Sequence, residues 1–280
     1  MTNLLDDLLA AALAAGAAIL RIRAQGFAVH DKPEASPVTA ADQAREALIL
    51  ARLAALAPGV AVVAEEAAAA GVLPDVGRRF FLVDPLDGTR EFVAGRDEFT
   101  VNIALVQDGL PVLGVVVAPA LGRAFAGDVA AGIAFELSQD VGASTGATSP
   151  AVAAASARPQ RRSMRVRRPP ASGVVAVASR SHGTPETEDW LRQAKVTQRV
   201  SIGSSLKFCL LAAGEADVYP RFGPTMEWDT AAGHAVVVAA GGRVDGLDGE
   251  PLRYGKPGFR NPAFVARGAA ADQEVRGASH

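Results

Sequence analysis

Three acidic clusters in the chain stand where apolar segments end. Glu65-Glu66 closes the run 60–64, and Asp84-Pro85-Leu86-Asp87-Gly88-Thr89 closes the run 80–83. Asp229 stands at the start of a helical pattern in Glu227-Trp228-Asp229-Thr230-Ala231-Ala232-Gly233. Burying carboxylates is costly unless something compensates their charge, and a hard divalent cation does so well. Carboxylates plus a backbone carbonyl, with no His or Cys among them, make an oxygen-only donor set that favours Mg²⁺ or Mn²⁺. Pro85 starts a turn, so Asp84, Asp87 and the Leu86 carbonyl can converge on one site. Gly88 and Thr89 then open a helix whose unused N–H groups can hold a phosphate oxygen. Cations on one side and a helix N-terminus on the other suit phosphoryl transfer. Singly, each piece has a plainer reading. The 84–88 string is an ordinary turn, Glu65-Glu66 a solvated helix start, and Asp229 an acid favoured by the helix dipole. Their joint order carries the reading.

The elements around these clusters follow from periodicity. Helical patterns cover 4–24 and 40–56, with Thr39 as the N-cap of the second and Asp42 three residues on, close to a capping box. Short strands are expected at 60–64 and 80–83. Three antiparallel strands follow at 99–107, 111–119 and 121–127, with Asp108-Gly109 as the first turn signal. The segment 142–173 breaks the pattern. It is rich in Ala, Ser, Thr, Pro and Arg and carries Arg161, Arg162, Arg165, Arg167 and Arg168. It reads as a solvated connection, with an anion-binding strip as the alternative. Beyond it, strand and helix alternate: strands at 174–179, 196–202 and 216–220, helices at 185–193, 205–213 and 230–240. The expectation is an α/β (α+β) chain of two subdomains, 1–173 with most of the acids and 174–280 with Asp229, their cleft holding the site.

Composition narrows the function class. The 280 residues are 49% hydrophobic and carry a net charge of −2, so there is core material and no basic surplus for a nucleic-acid polymer. The single cysteine, Cys209, permits no intramolecular disulfide and no thiolate cluster. Cys209 sits in an apolar helical run and reads as core. His182 and His234 read as packed or surface residues, since hard Mg²⁺ prefers oxygen. The Ala/Leu-rich run 8–20 is too short to span a bilayer. Its acidic leading flank, Asp6 and Asp7, is unlike a signal peptide, so it reads as a core helix.

The joint pattern resembles the inositol monophosphatase superfamily. The matching elements are 38–42 (Val-Thr-Ala-Ala-Asp), Glu65-Glu66, Asp84 to Thr89 and Trp228 to Gly233, and the resemblance runs over about 4–266. Within it, the chain looks most like the CysQ-type 3′(2′),5′-bisphosphate nucleotidases. The residues that suggest this are Arg90-Glu91-Phe92, Ser179-Arg180-Ser181-His182, the run 203–209 (Gly-Ser-Ser-Leu-Lys-Phe-Cys) and the run 219–229 from Tyr219 to Asp229. Little of 142–173 can be matched.

The resemblance implies a layered α-β-α-β-α sandwich and two or three Mg²⁺ ions. Glu65, Asp84 and the Leu86 carbonyl would hold one ion, and Asp84, Asp87 and Asp229 a second. A third would sit near Glu65. Thr89, hydrogen-bonded to Asp42, would position and deprotonate the attacking water, with no phosphoenzyme. Glu65, Leu86, Asp87, Gly88, Thr89, Ser205, Lys207, Tyr219, Arg221 and Asp229 would line the substrate site. Lys207 and Arg221 would meet a second phosphate and Tyr219 the base; otherwise Lys207 is a solvated helix lysine and Arg221 a structural arginine. The implied reaction removes the 3′-phosphate of adenosine 3′,5′-bisphosphate to leave AMP, a step of sulfur metabolism, with lithium sensitivity. A cytoplasmic monomer or homodimer is expected, with peripheral membrane association open. The rivals are an inositol monophosphatase or sugar phosphatase on the same scaffold, and a catalytically dead metabolite-binding protein. Retention of the full acid set argues against the last.

Overall fold

A computed structural model describes residues 4–25, 37–138, 160–179 and 183–268, and for 37–45 the helix without its side chains. Two sheets organise it. The larger has seven strands in sequence order: β1 (Ala61–Ala64), β2 (Arg79–Asp87), β3 (Thr100–Gln107), β4 (Leu110–Ala118), β5 (Arg123–Asp128), β6 (Ile133–Ser138) and β7 (Gln160–Ser163). Only β1 and β2 pair parallel; the rest form an antiparallel meander. Asp108 and Gly109 turn β3 into β4 with φ of 53° and 77°. That is the left-handed pair a two-residue hairpin needs. The smaller sheet is built from β8 (Val174–Ser179), β9 (Val196–Ile202), β10 (Val218–Arg221), β11 (Arg243–Gly246) and β12 (Phe264–Arg267), in the order β11-β12-β10-β8-β9.

Helices fill the spaces. On the outer face of the large sheet, α1 (Leu4–Ala24) packs on β3, β4 and β5, and α2 (Pro37–Leu56) on β2. Its inner face takes α7 (Glu227–Ala239), which also touches β11; α6 (Leu206–Ala212) packs beside α7 and against β8, β10 and β12. On the far side of the small sheet lies α5 (Pro185–Gln193), against β9 and β10. The result is the expected α-β-α-β-α sandwich. A Cβ on Gly114 of β4 would stand 2.2 Å from the Ala232 carbonyl oxygen, so this strand requires glycine for α7 to lie so close.

Three expectations need correction. The second helix starts at Pro37, so Thr39 lies inside it and is not its N-cap; proline is at home in a first helical turn, where its missing N–H costs nothing. The turn expected at Pro85 is instead part of β2, which continues to Asp87 through a register shift against β3. Pro85 is tolerated there because β1 pairs only with 80–83 and leaves that edge of β2 bare. Third, the described part of the Arg-rich segment is no plain solvated connection. Arg162 lies in β7 and pairs with buried Glu136 at 2.6 Å, and Arg161 sits 3.6 Å from the Phe135 ring centre. Arg167 pairs at 2.8 Å with fully buried Asp217. Acids far away in sequence made this ordering invisible from the segment alone. The two short closing strands β11 and β12 were not expected either.

Candidate active site

Glu65 opens α3 (Glu65–Ala69) immediately after β1. The first N–H groups of a helix have no partner within it. Here Glu66 N and Ala67 N donate to the Glu46 carboxylate at 2.8 and 3.0 Å. Glu46 belongs to α2 and is buried. Burial pushes its pKa up, while those two N–H groups pull it down. The sequence reading passed over it; the signal was an acid at helical spacing from the core residues Ile49 and Leu53.

Asp84 is 1% exposed, and its Oδ1 accepts from Leu86 N at 2.9 Å across the irregular end of β2. Asp87 Oδ2 accepts from Ser205 N at 2.6 Å, and from Thr100 Oγ1 and Asn102 Nδ2 at 3.4 Å each. Ser205 Oγ in turn bonds Thr100 Oγ1 at 2.9 Å and Asn102 Oδ1 at 2.7 Å. The neighbouring α4 (Thr89–Val93) is preceded by Gly88 at φ 87°, where a Cβ would come 3.0 Å from the Glu98 carbonyl oxygen. Thr89 is exposed, and its Oγ1 donates to the Leu86 carbonyl at 3.1 Å. The Asp42 side chain lies outside the described residues, as does His182. Asp229 Oδ2 accepts from Met226 N at 2.7 Å and so caps its own helix.

Two cations stand close to these acids, Lys207 acting on Asp87 and Arg221 on Asp229. Lys207, on α6, is 5% exposed, which removes the solvated-lysine reading. Its Nζ donates to the Ile202 carbonyl at 3.4 Å and to that of Ser204. Arg221 is buried at the end of β10, with Nε to Gly223 O at 3.2 Å and Nη2 to Pro224 O at 3.0 Å. Tyr219 is packed in an aromatic cluster with Phe208 and Phe264, ring centres 5.1 and 5.6 Å away. It is therefore not the open face for a base that the sequence suggested. Cys209 and His234 are core residues; His234 Nδ1 meets the Tyr254 hydroxyl at 3.0 Å.

One cavity of about 320 Å³ is lined by Glu65, Asp84, Leu86, Asp87, Gly88, Thr89, Ser205, Lys207, Tyr219, Arg221 and Asp229. Arg90, Ser179 and Thr225, which had no assigned role, line it too. The acids act on one another through it. Burial, then the charges of Glu65, Asp87 and Asp229, hold Asp84 well above the usual carboxylate range. Burial raises Asp87 as well, opposed by Lys207 and the Ser205 N–H. Burial, then Asp87, push Asp229 up to about 7. Burial pushes Lys207 down to about 8, against the pull of Asp87, Glu91 and Asp229. Among the described residues, no group of three or more acids, histidines or cysteines is closed tightly enough to grip an ion as it stands. What the acids share is a cavity and a mutual repulsion. An oxygen-only set so strained by like charge fits a hard divalent cation, which would remove that repulsion.

A sequence model of the inositol monophosphatase family matches residues 2–276. The chain belongs to that family. The family is generally metal-dependent. The chain is 42% identical over 266 residues to the 3′(2′),5′-bisphosphate nucleotidase CysQ of Escherichia coli (strain K12), covering 93% of this chain and 98% of that protein. The crystal structure of CysQ from Bacteroides thetaiotaomicron superposes with a TM-score of 0.75 at 39% identity, covering 92% of this chain and 94% of that one. An inositol monophosphatase from Anabaena gives 0.68 at 26% identity, covering 98% and 94%. Among the described residues, no helix is long and apolar enough to cross a membrane.

Proposed function

We propose that this family member is a Mg²⁺-dependent 3′(2′),5′-bisphosphate nucleotidase that cleaves the 3′-phosphate of adenosine 3′,5′-bisphosphate to AMP and phosphate. The observation that supports it most is the presence of two sets of charge in one cavity: the acids Glu65, Asp84, Asp87 and Asp229, and the buried cations Lys207 and Arg221. The identity of 42% to a CysQ nucleotidase, against 26% to an inositol monophosphatase, favours the nucleotide among the substrates this scaffold accepts.

Glu65, Asp84, the Leu86 carbonyl, Asp87 and Asp229 would hold two Mg²⁺ ions, with a third near Glu65. Bound Mg²⁺ supplies positive charge to the phosphoryl oxygens and makes a water nucleophilic near neutral pH. The chain does the rest. The N–H groups that open α4 are directed at the phosphate being cut. The Thr89 hydroxyl, which here donates to the Leu86 carbonyl, would position the water; to take the water's proton it would pass its own to Asp42, the partner the family resemblance implies. Lys207 and Arg221 neutralise the phosphate that stays. The test is kcat/KM on adenosine 3′,5′-bisphosphate, inositol 1-phosphate and fructose 1,6-bisphosphate, with and without Mg²⁺. A preference for inositol 1-phosphate would replace the nucleotide reading. Turnover unaffected by removing Mg²⁺ would end the metal reading.

A further inference from the structure

Asp229 reaches the cavity from the first turn of α7, and that turn is held from outside the helix. Asn261 lies between the 3₁₀ turn at Pro257–Phe259 and β12, and it is 7% exposed. The two hydrogens of its Nδ2 are shared among three acceptors, Met226 O at 2.8 Å, Thr230 Oγ1 at 3.0 Å and Thr225 Oγ1 at 3.2 Å. Its backbone N donates to Thr225 O at 3.0 Å, its Oδ1 accepts from Lys256 Nζ at 3.2 Å, and Arg260 bridges to Met226. One buried amide therefore fixes the Thr225–Met226 turn from several directions. The N–H of Met226 is what bonds Asp229 Oδ2 at 2.7 Å. Buried Glu227 ties the same loop to the helix, accepting from Gly255 N at 2.7 Å and Lys256 N at 3.0 Å.

We propose that Asn261 is a positioning residue for Asp229: it sets the Thr225–Met226 turn, whose N–H group aims the Asp229 carboxylate into the cavity. The inference rests on the reading of Asp229 as a Mg²⁺ ligand. A polar group that orients a ligand in this way typically changes metal affinity or activity by about 10- to 100-fold when lost. Bulk packing would instead lower stability and leave affinity alone.

The experiment follows the thermal midpoint of the full chain against Mg²⁺ concentration, with Mg²⁺ alone as the probe. Asn261→Ala removes the amide, and Asn261→Asp keeps its shape and the acceptor for Lys256 while losing both donors. Tyr254→Phe is the control. It removes the hydroxyl that bonds Thr230 and His234 at 3.2 and 3.0 Å and leaves the Thr225 and Met226 contacts intact. Both Asn261 variants should raise the Mg²⁺ concentration at half-effect by about tenfold, and their lost kcat/KM should partly return at high Mg²⁺. Tyr254→Phe should lower the midpoint yet shift the Mg²⁺ response by less than about twofold. An unchanged response in the Asn261 variants overturns the proposal. So does an equal shift in Tyr254→Phe, or failure of both Asn261 variants to fold, either of which marks the network as structural. A wild-type chain with no Mg²⁺ response would instead overturn the metal reading beneath it.

Discussion

The two walls of the cavity are built on different principles. On the acidic wall each aspartate is aimed by a backbone N–H: Asp84 by Leu86, Asp87 by Ser205 and Asp229 by Met226. An N–H bond favours the charged form of a carboxylate, so the backbone opposes the protonation that burial favours. On the basic wall the cations are turned onto carbonyls of their own turns, Lys207 onto Ile202 and Ser204, Arg221 onto Gly223 and Pro224. A lysine has three donors and an arginine five, so Arg221 keeps the larger reserve for a ligand. The acidic wall is thus arranged around charge it cannot neutralise itself. The basic wall is arranged partly to hold the chain, and on the proposed function it would also discriminate among ligands. Substitutions on the first should abolish chemistry, and those on the second should reweight substrates.

The largest effect is expected from Asp84→Asn. Asp84 is assigned to both main ions, so turnover should fall to background. Asparagine keeps the oxygen that accepts from Leu86 N and removes a charge that Glu65, Asp87 and Asp229 repel. The variant should therefore melt, without metal, at or above the wild-type temperature. Substantial activity at saturating Mg²⁺ would break the distinction between the walls.

Next comes Thr89→Val, which should leave Mg²⁺ and substrate affinity nearly unchanged and lower kcat by about 10²- to 10⁴-fold. Asp42→Asn should behave alike, and the double variant should be little worse than either single, because the two would act as one unit. Fully additive losses would mean that they do not.

On the basic wall, Lys207→Ala should lower kcat/KM for adenosine 3′,5′-bisphosphate at least about tenfold, the loss expected for a charged hydrogen bond to phosphate. Lys207 also lowers the pKa of Asp87, so part of any loss is common to every substrate. The informative quantity is the difference between substrates. Inositol 1-phosphate hydrolysis should change less than about threefold, since it has no second phosphate to lose. Equal losses would make Lys207 a counter-charge for the acids and nothing more.

The acidic wall was legible in the sequence from the joint order of its acids: Glu65-Glu66 ends one apolar run, Asp84 and Asp87 end another, and Asp229 stands in the first turn of a helix. The distant contacts around those residues were not legible, because the partners come from far along the chain: Glu46 at the start of α3, the Ser205 N–H on Asp87, and Asn261 at the turn before α7. An isolated Glu in a helix or Asn in a loop has no signature of what it will meet. The same reason explains β7, whose Arg162 is ordered by Glu136, and the ordering of Arg167 by Asp217. Tyr219 shows the opposite failure: its type suggested a ligand face, but Phe208 and Phe264 enclose it. The succession of helices and strands was readable from their periods and the α-β-α-β-α layering was implied by the family resemblance, whereas β11 and β12 fell in short runs with no clear alternation.

The smallest effect, and the one that isolates the acidic wall, is the pH dependence of Mg²⁺ stabilisation. Asp229 stands at about 7 against an ordinary 3.8, and Asp84 is raised too. Between about pH 4 and 7 the metal-free fold therefore binds more protons than the unfolded chain, and stability falls as pH rises through this window. The full benefit is present below the ordinary carboxylate range and is gone above the raised value. On the proposed function, Mg²⁺ would take over the compensating role only once those protons have left. The rise in melting temperature given by a fixed, subsaturating Mg²⁺ concentration should therefore be larger at pH 8 than at pH 5.5. His234 works the other way: burial pushes it down to about 3 from an ordinary 6.5, so its contribution is present above that ordinary value and lost as pH falls toward 3. His234 packs against Tyr254 in the core and acts equally with and without the ion, so it cancels in the difference. Asp84→Asn should flatten the difference across pH by removing one of the three raised carboxyls of the cavity, Asp84, Asp87 and Asp229. A Mg²⁺ shift of the same size at both pH values would show that the raised acids and the ion do not share a site.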